Sequence, residues 1–186
     1  MLKIGLLGLG AIGSDVIEMA KNEFADRIEI PAALVRRPRD PATINRTLIT
    51  NDFDTFFSKE TDLILEVAGH STVQDYGERI LKAGRDFMVT SVGAFTDDIL
   101  YQKCIKAAQA SGARLIIPSA GIGSLDTLSA AAVGGLTSVH MIVRKDPSAW
   151  HGTHAETLFD LDSLKEPTVI FEGTPREGAA LYPQNV

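Results

Sequence analysis

A glycine-rich turn between an apolar run and a helix constrains this 186-residue chain more than any other feature. The sequence GLGAIG occupies residues 8 to 13, after the apolar run LKIGLL and before a helical pattern over residues 14 to 24. A continuous apolar run of this length is typical of a strand that is buried on both faces. Closely spaced glycines let the backbone turn sharply and let the helix pack against the strand. The N-terminus therefore predicts the first strand-turn-helix unit of an α/β fold.

Apolar runs and helical patterns go on alternating up to residue 117. We expect strands at 28–35, 62–68, 86–90 and 113–117, helices at 71–83 and 97–110, and a helix or turn at 51–58. Strands that alternate with helices form parallel sheets, because each helix returns the chain to the same edge of the sheet. The sequence predicts a Rossmann-type doubly wound parallel sheet, and we assign the NAD(P)-binding domain to residues 1–123.

The pattern changes after residue 123. A helix of small residues is predicted over 125–133, and two runs, at 138–145 and 168–172, alternate as half-exposed strands do. We therefore expect residues 124–186 to begin a smaller α+β domain for substrate binding and dimerisation. Because the apolar face of such a sheet must be covered, we also expect a homo-oligomer.

Composition limits the partners of the chain. A formal net charge of -6 argues against a nucleic-acid surface, because phosphate backbones attract concentrated Lys and Arg. No stretch approaches the roughly 20 apolar residues of a membrane span, and the short N-terminal run does not resemble a signal peptide. The single cysteine, Cys104, can form no internal disulfide and has no histidine at metal spacing. We expect a cytoplasmic protein with no metal, nucleic-acid or membrane partner.

The glycine turn also predicts a ligand. Between a strand and a helix, the spacing G-x-G-x-x-G is typical of dinucleotide binding, where the second glycine lets a pyrophosphate approach the backbone. The N–H groups at the start of the helix then attract the phosphates. We predict that NADP or NAD binds at this turn. The residues concerned are Gly8, Gly10, Ala11, Ile12 and Gly13.

The end of the second predicted strand bears on the choice between these two cofactors. An acidic residue at this point binds the ribose 2′-hydroxyl of NAD, whereas an arginine accommodates the 2′-phosphate of NADP. Here the strand is followed by Arg36, Arg37, Pro38 and Arg39, and Asp40 comes only after the proline. Guanidinium groups bind phosphate well, so the sequence favours NADP held by Arg36 and Arg37. The alternative is that both arginines are solvated and both cofactors are accepted.

Small residues follow the third and fourth predicted strands, in the motifs EVAGH and TSVGAF. Ligands of doubly wound sheets lie at these strand ends. We expect the backbone at Ala68, Gly69, Ser91 and Val92 to contact the ribose and nicotinamide. His70 is a candidate for substrate contact or proton transfer, with a helix cap or a surface residue as the alternative.

A second glycine-containing turn, IPSAGIGSLD, follows the fifth predicted strand over residues 117–126. Exposed backbone amides at Ser119, Ala120 and Gly121 would fix the carboxamide of a nicotinamide ring. The alternative is a turn that leads into the second domain, and the two interpretations are compatible.

These motifs, together with VRKDPSAWHGT and FEGTPREGAALYPQNV, occur in an order that resembles the L-aspartate dehydrogenases over the whole chain. The resemblance implies NAD(P)-dependent oxidative deamination of L-aspartate to iminoaspartate. This product hydrolyses to oxaloacetate and ammonia or feeds NAD biosynthesis. The resemblance also implies cofactor contacts at Gly121 and Asn185. The family usually has glycine and then alanine where this chain has Ala120 and Gly121.

The resemblance further implies that the catalytic histidine of the family lies beyond Val186, so we expect a C-terminally truncated member. Oxidation of an amino acid by hydride transfer leaves a cationic imine. Deprotonating the amine, or attack of water on the imine, needs a group that titrates near neutrality. Within the chain the candidates for this group are His70 and Lys145, with a solvated surface residue as the alternative for each.

Two other functions stay open at this point. One is a related reductase of the same architecture, of the homoserine dehydrogenase or dihydrodipicolinate reductase type. The other is a catalytically incomplete NADP-binding module, which the missing family histidine favours. Oxidation of homoserine rather than aspartate would select the first, and cofactor binding without turnover would select the second.

Overall fold

The computed structural model describes residues 1–37, 47–119, 123–183 and 185. The chain divides into two compact units, Met1–Ala120 and Gly121–Val186, called here the first and the second unit. Within the described residues, no helix combines the length and the apolar character needed to cross a membrane.

The first unit is built on a parallel sheet, with seven strands among the described residues. They are β1 (Leu2–Leu7), β2 (Ile28–Glu29), β3 (Ala32–Leu34), β4 (Leu48–Thr50), β5 (Leu63–Glu66), β6 (Asp86–Val89) and β7 (Leu115–Ile116). Their order is β4-β3-β1-β5-β6-β7, and β2 also pairs with β1. The direction of strand addition thus reverses between β1 and β5, as in dinucleotide-binding folds. The predicted doubly wound α/β sheet is confirmed.

Helices connect these strands close to the predicted positions. They are α1 (Ala11–Asn22), α2 (Phe53–Phe57), α3 (His70–Lys82) and α4 (Asp98–Ser111), with a 3₁₀ helix at Val92–Thr96. The predicted strand 28–35 is divided into β2 and β3 around Pro31, which has no N–H to donate to a ladder. The edge strand β4 was not predicted. It has only three residues, all half-buried, which is too short for a periodic pattern to indicate.

Two apolar clusters cover the two faces of the sheet. Leu6 and Leu7 are neighbours in β1 and belong to different clusters, because successive side chains of a strand point to opposite faces. The Leu6 cluster includes α1, and the Leu7 cluster includes α2, α3 and α4. Cys104 of α4 is fully buried in the Leu7 cluster, and this burial raises the pKa of its thiol to about 11.

The second unit has a different construction. Its elements are α5 (Leu125–Val133), α6 (Pro175–Leu181) and 3₁₀ helices at Pro147–Trp150, His154–Thr157 and Leu161–Ser163. The buried residues of its core are Trp150, Ala155, Leu161 and Tyr182. The Tyr182 ring meets Trp150 edge-on, with ring centroids 5.5 Å apart. Helix α5 occupies the predicted residues 125–133.

The two strands predicted for the second unit, at 138–145 and 168–172, are wrong. Neither run forms a strand, and every residue from 138 to 145 is exposed. A strand needs a neighbour to pair with its N–H and C=O groups, and alternation in the sequence cannot supply one. The α+β character expected of this unit is therefore not seen in residues 123–183 and 185.

Candidate cofactor site

The three glycines of GLGAIG meet three different requirements. Gly8 has a φ of +101°, and a Cβ there would lie 2.9 Å from the Cα of Ala68. A Cβ at Gly13 would lie 2.3 Å from the carbonyl oxygen of Gly8, so helix α1 can approach this turn only with glycine. A Cβ at Gly10 would meet nothing within 4 Å. Gly8 and Gly13 are thus needed by the protein itself, whereas Gly10 leaves space beside the backbone.

Helix α1 begins at Ala11 without a capping side chain. Gly10 occupies the N-cap position and makes no side-chain hydrogen bond, and the first turn holds no acidic residue. The side chains of Ala11 and Ile12 are exposed. Free N–H groups at the start of a helix, next to open backbone, form a binding site for phosphate. The residues at this turn therefore fit the pyrophosphate of a dinucleotide.

A cavity of about 640 Å³ opens beside this turn. Its walls come from the carboxyl ends of β1, β3, β4 and β5 and from the first two turns of α3. The lining residues are Gly8, Leu9, Gly10, Leu34, Val35, Arg36, Arg37, Asn51, Val67, Ala68, Ser71, Thr72, Asp75 and Tyr76. Five of the residues predicted to bind the cofactor are thus brought together. They are Gly8, Gly10, Arg36, Arg37 and Ala68.

The lining of the cavity carries charges of both signs. Arg36 and Arg37 are exposed, and Nη2 of Arg36 lies 3.5 Å from Oγ of Ser71. Asp75 contributes a carboxylate to the same lining. The Tyr76 ring stacks on Phe53 with centroids 4.2 Å apart, which fixes one side of the cavity. The predictions that involve residues 38–40 lie outside the described residues.

A buried carboxylate that was not predicted as a site residue lies just behind this cavity. Glu66, the last residue of β5, has no exposed surface. Its Oε1 accepts hydrogen bonds from the backbone N–H of Ala68 and of Gly69, both at 2.7 Å, and from the hydroxyl of Ser91 at 2.9 Å. Its Oε2 accepts from the backbone N–H of Ser91 at 3.0 Å. One signal in the sequence could have indicated it, namely an acidic residue inside the apolar run LILEVA.

His70 begins α3, directly after Gly69, whose φ is +125°. A Cβ on Gly93 would lie 2.7 Å from Cε1 of His70, so the imidazole rests on the backbone of the 3₁₀ helix that follows β6. His70 is half-buried in this position. Of the predicted residues Gly69, Ser91 and Val92, none lines the cavity, but all lie in the turns next to His70 and Glu66.

The remaining predicted residues belong to the second unit. Lys145 is exposed, in the segment 138–145. Asn185 is buried, and its Nδ2 donates to the backbone carbonyl of Ala149 at 2.6 Å. His151 lies between the carboxylates of Glu156 and Asp162; its hydrogen bond to Glu156 is the main reason that its pKa is raised. Gly121 lies outside the described residues.

Residues 1–37, 47–119, 123–183 and 185 contain no cluster of three or more His, Cys, Asp or Glu that could hold a metal ion.

Comparison with known proteins supports a domain for a nicotinamide cofactor and the family resemblance. Residues 8–118 match the family described as "Homoserine dehydrogenase, NAD binding domain", and residues 126–186 match "Aspartate dehydrogenase, C-terminal". L-Aspartate dehydrogenases from Ralstonia pickettii and Pseudomonas aeruginosa are each 38% identical, over 100% of this chain and 70% of theirs.

Among solved structures, aspartate dehydrogenase from Thermotoga maritima is similar to the whole chain. The TM-score is 0.71 at 25% identity, and the match covers 100% of this chain and 69% of that one. The resemblance seen in the motifs is therefore confirmed from relatives of the full sequence and from a solved structure. The chain belongs to the L-aspartate dehydrogenase family.

Proposed function

We propose that the chain takes part in the oxidation of L-aspartate to iminoaspartate, with NADP as the preferred hydride acceptor and an imine product that feeds NAD biosynthesis. The observation that carries the proposal is the cavity at the glycine turn, with its open Gly10 backbone and its two arginines. Membership of the L-aspartate dehydrogenase family supports the substrate. A bound nicotinamide supplies the electron-accepting ring, and the residues of the chain hold it.

Each end of the proposed cofactor has a matching set of residues. The uncapped start of α1 and the open side of Gly10 bind the pyrophosphate. Arg36 and Arg37 bind the 2′-phosphate, with the Ser71 hydroxyl close to Arg36. The nicotinamide half then binds on the other side of the switch point, at the ends of β5 and β6, and the reversal of the strand order supports this part of the proposal. The first unit is thus the cofactor domain, and the second unit contributes to the catalytic half.

The charges in the cavity wall support a preference for NADP. Two guanidinium groups and one carboxylate, that of Asp75, line the wall. Arginine binds phosphate through several N–H donors, whereas Asp75 would repel it. Two cations against one anion therefore favour the additional phosphate of NADP.

The cofactor preference can be tested with the double variant Arg36→Asp, Arg37→Asp. We expect its Kd for NADPH to rise by roughly tenfold or more, since hydrogen bonds to charged groups are strong. We expect a small change in the Kd for NADH. The control is Lys21→Asp, Lys106→Asp, which makes the same change in charge at exposed helix positions outside the cavity. An unchanged ratio of the two Kd values in the arginine variant would contradict the assignment.

Turnover on L-aspartate tests the reaction itself. The purified chain is given NADP or NAD with L-aspartate or homoserine, and cofactor reduction is followed by absorbance. Turnover on L-aspartate supports the proposal, and turnover on homoserine alone selects the related reductase. Cofactor binding without any turnover selects the binding module.

His70 and Lys145 stay candidates for proton transfer. If turnover is seen, the kcat values of His70→Ala and Lys145→Ala are compared with that of the wild type.

We also propose that the chain forms a homo-oligomer through its second unit. Several large apolar side chains of this unit are exposed. They are Val133, Leu136, Val139, Met141, Ile142, Val143 and Val169. Apolar surface of this extent favours association with another protein surface. Sedimentation velocity of the wild-type chain and of Ile142→Asp tests this: a mass of one chain in both would contradict the proposal.

A further inference from the structure

The hydrogen bonds of Glu66 join two loops from neighbouring strands. Ala68 and Gly69 belong to the loop after β5, and Ser91 belongs to the loop after β6. One carboxylate accepts three bonds from backbone N–H groups and one from a hydroxyl, with all four distances between 2.7 and 3.0 Å. A fully buried carboxylate is costly unless donors of this kind surround it. The geometry of each loop is therefore tied to that of the other through Glu66.

A neutral isostere could not make the same contacts. The amide of glutamine has one acceptor oxygen and one NH₂ donor. If its oxygen faces Ala68, Gly69 and the Ser91 hydroxyl, its NH₂ faces the N–H of Ser91, and two donors meet. If the amide is reversed, the NH₂ faces the two backbone N–H groups of the other loop. Glu66→Gln therefore loses the bond from the N–H of Ser91 in the first orientation, and the bonds from the N–H groups of Ala68 and Gly69 in the second.

These loops lie where the second half of a dinucleotide binds. The sheet order reverses between β1 and β5, so β5 and β6 belong to the half opposite Arg36 and Arg37. Ala68 lines the cavity, and it also occupies the space that a Cβ on Gly8 would need. Glu66 thus holds Ala68, which contacts the glycine turn, and its other hydrogen bonds link Ala68 to the loop that contains Ser91.

We propose that Glu66 is a positioning residue for the nicotinamide half of the cofactor. Its carboxylate keeps the loops after β5 and β6 at the spacing that the nicotinamide and its ribose require. It also fixes the start of α3, where His70 follows Gly69 and rests on Gly93. Glu66 itself is buried and acts through these loops. The inference rests on the proposed function, because it needs a nicotinamide cofactor bound at this edge of the sheet.

The test compares Glu66→Gln with Ile80→Val, which removes one methyl group from a fully buried position of α3 outside the cavity. The Kd values for NADPH and NADH are measured by nicotinamide fluorescence, and the Kd for ADP by competition. ADP carries the adenosine and both phosphates but neither the nicotinamide nor its ribose. Thermal unfolding of each variant records the loss of stability.

We expect Glu66→Gln to raise the Kd for NADPH and NADH by about tenfold, because a buried donor then lacks its acceptor. The Kd for ADP is expected to change far less, since the phosphate-binding turn remains. Ile80→Val should alter none of the three Kd values. Ser91→Ala removes one of the four bonds and should change the same Kd values in the same direction by a smaller factor.

Any of the following results would overturn the proposal. One is an equal rise in the Kd for ADP and for the whole cofactors, which would mean that Glu66 only supports the fold. Another is the same effect from Ile80→Val. If Glu66→Gln does not fold, an unchanged nicotinamide affinity in Ser91→Ala decides against it. A wild-type chain that binds neither NADPH nor NADH would overturn the proposed function together with this inference, whereas normal wild-type binding with an unaffected Glu66→Gln overturns this inference alone.

Discussion

The two units of the chain are stabilised by contacts of different range. In the first unit, Ile4 of β1 pairs with Leu63 of β5, and the sheet connects residues that are far apart in sequence. In the second unit, polar side chains close short turns, as where the Thr153 hydroxyl accepts from the N–H of Ala155. One small aromatic cluster around Tyr182 supplies its core. We therefore expect the first unit to tolerate the loss of a single contact better than the second unit does.

Removing the centre of the aromatic cluster is the strongest test of this difference. Tyr182 is the largest fully buried side chain of the chain's described part. We expect Tyr182→Ala to lower the free energy of unfolding of the second unit by about 3–5 kcal/mol, through lost burial and a cavity. Fluorescence of the single tryptophan, Trp150, reports this unit. Leu181→Ala, at a neighbouring exposed position, is the control, and loss of cofactor binding in Tyr182→Ala alone would show that the units are not independent.

Two alanine substitutions in the glycine turn separate packing from binding in the first unit. Gly13→Ala places a methyl group against the carbonyl of Gly8, so we expect the free energy of unfolding to fall by about 1–3 kcal/mol. We expect cofactor binding to be lost as well, because the turn is distorted. Gly10→Ala meets no protein atom, so its stability should stay within about 0.5 kcal/mol of the wild type. Its affinity for NADPH should nevertheless fall. Thermal melts and binding titrations on both variants check this, and unchanged binding in Gly10→Ala would contradict a pyrophosphate at the turn.

Helix caps allow a comparison of equal changes in the two units. Thr174 caps α6 in a capping box with Glu177, and Asp97 caps α4 by accepting from the N–H groups of Ile99 and Leu100. Thr174→Ala and Asp97→Ala should each cost about 1 kcal/mol. Because the entropy of unfolding grows with size, the same cost should lower the Tm of the smaller second unit by more degrees. Equal shifts in calorimetry would show that the chain unfolds as one cooperative body.

The smallest expected effect concerns pH. The hydrogen bond to Glu156, and to a smaller extent that to Asp162, raises the pKa of His151. The stability that protonated His151 adds to the folded state is therefore fully present below the pKa of histidine in the unfolded chain, about 6.5. This contribution is lost as the pH rises through the higher folded pKa. The second unit should therefore melt at slightly lower temperature at alkaline than at mildly acidic pH. His151→Gln should flatten this dependence, whereas His140→Gln, at an exposed position, should keep it. A wild-type Tm that is independent of pH would contradict the role of His151.

Periodic patterns in the sequence predicted most of the first unit. The apolar run 2–7 and the amphipathic pattern of 71–83 reflect burial, and burial is what produces β1 and α3. Strand β4 could not be predicted, because three residues that are all half-buried show no alternation of apolar and polar side chains. In the second unit, residues 138–145 do alternate between apolar and polar side chains, but they form no strand. A strand also needs a neighbouring strand to pair with, and the sequence of one segment does not show whether such a neighbour exists.

The candidate site was also predicted only in part. Gly8 and Gly13 could be predicted because the turn has no room for a side chain at either position, and Gly10 because a bound pyrophosphate would need open backbone there. The role of Glu66 could not, because the sequence shows an acid in an apolar strand but not which donors surround it. Ser91 comes from the next strand, and only the register of β5 and β6 brings it to Glu66.

The burial of Cys104 has a practical consequence for studying this protein. Its Sγ lies 3.4 Å from where a Cβ on Gly77 would be, between α4 and α3, and the chain has no other cysteine. A thiol reagent can reach it only when these helices separate, so the rate of labelling measures one defined opening event. Helix α3 also borders the cofactor cavity. Ligands that bind the closed form should slow labelling in proportion to their occupancy. The labelling rate of Cys104 would therefore report the proposed nucleotide binding in the unmodified chain, without an introduced probe.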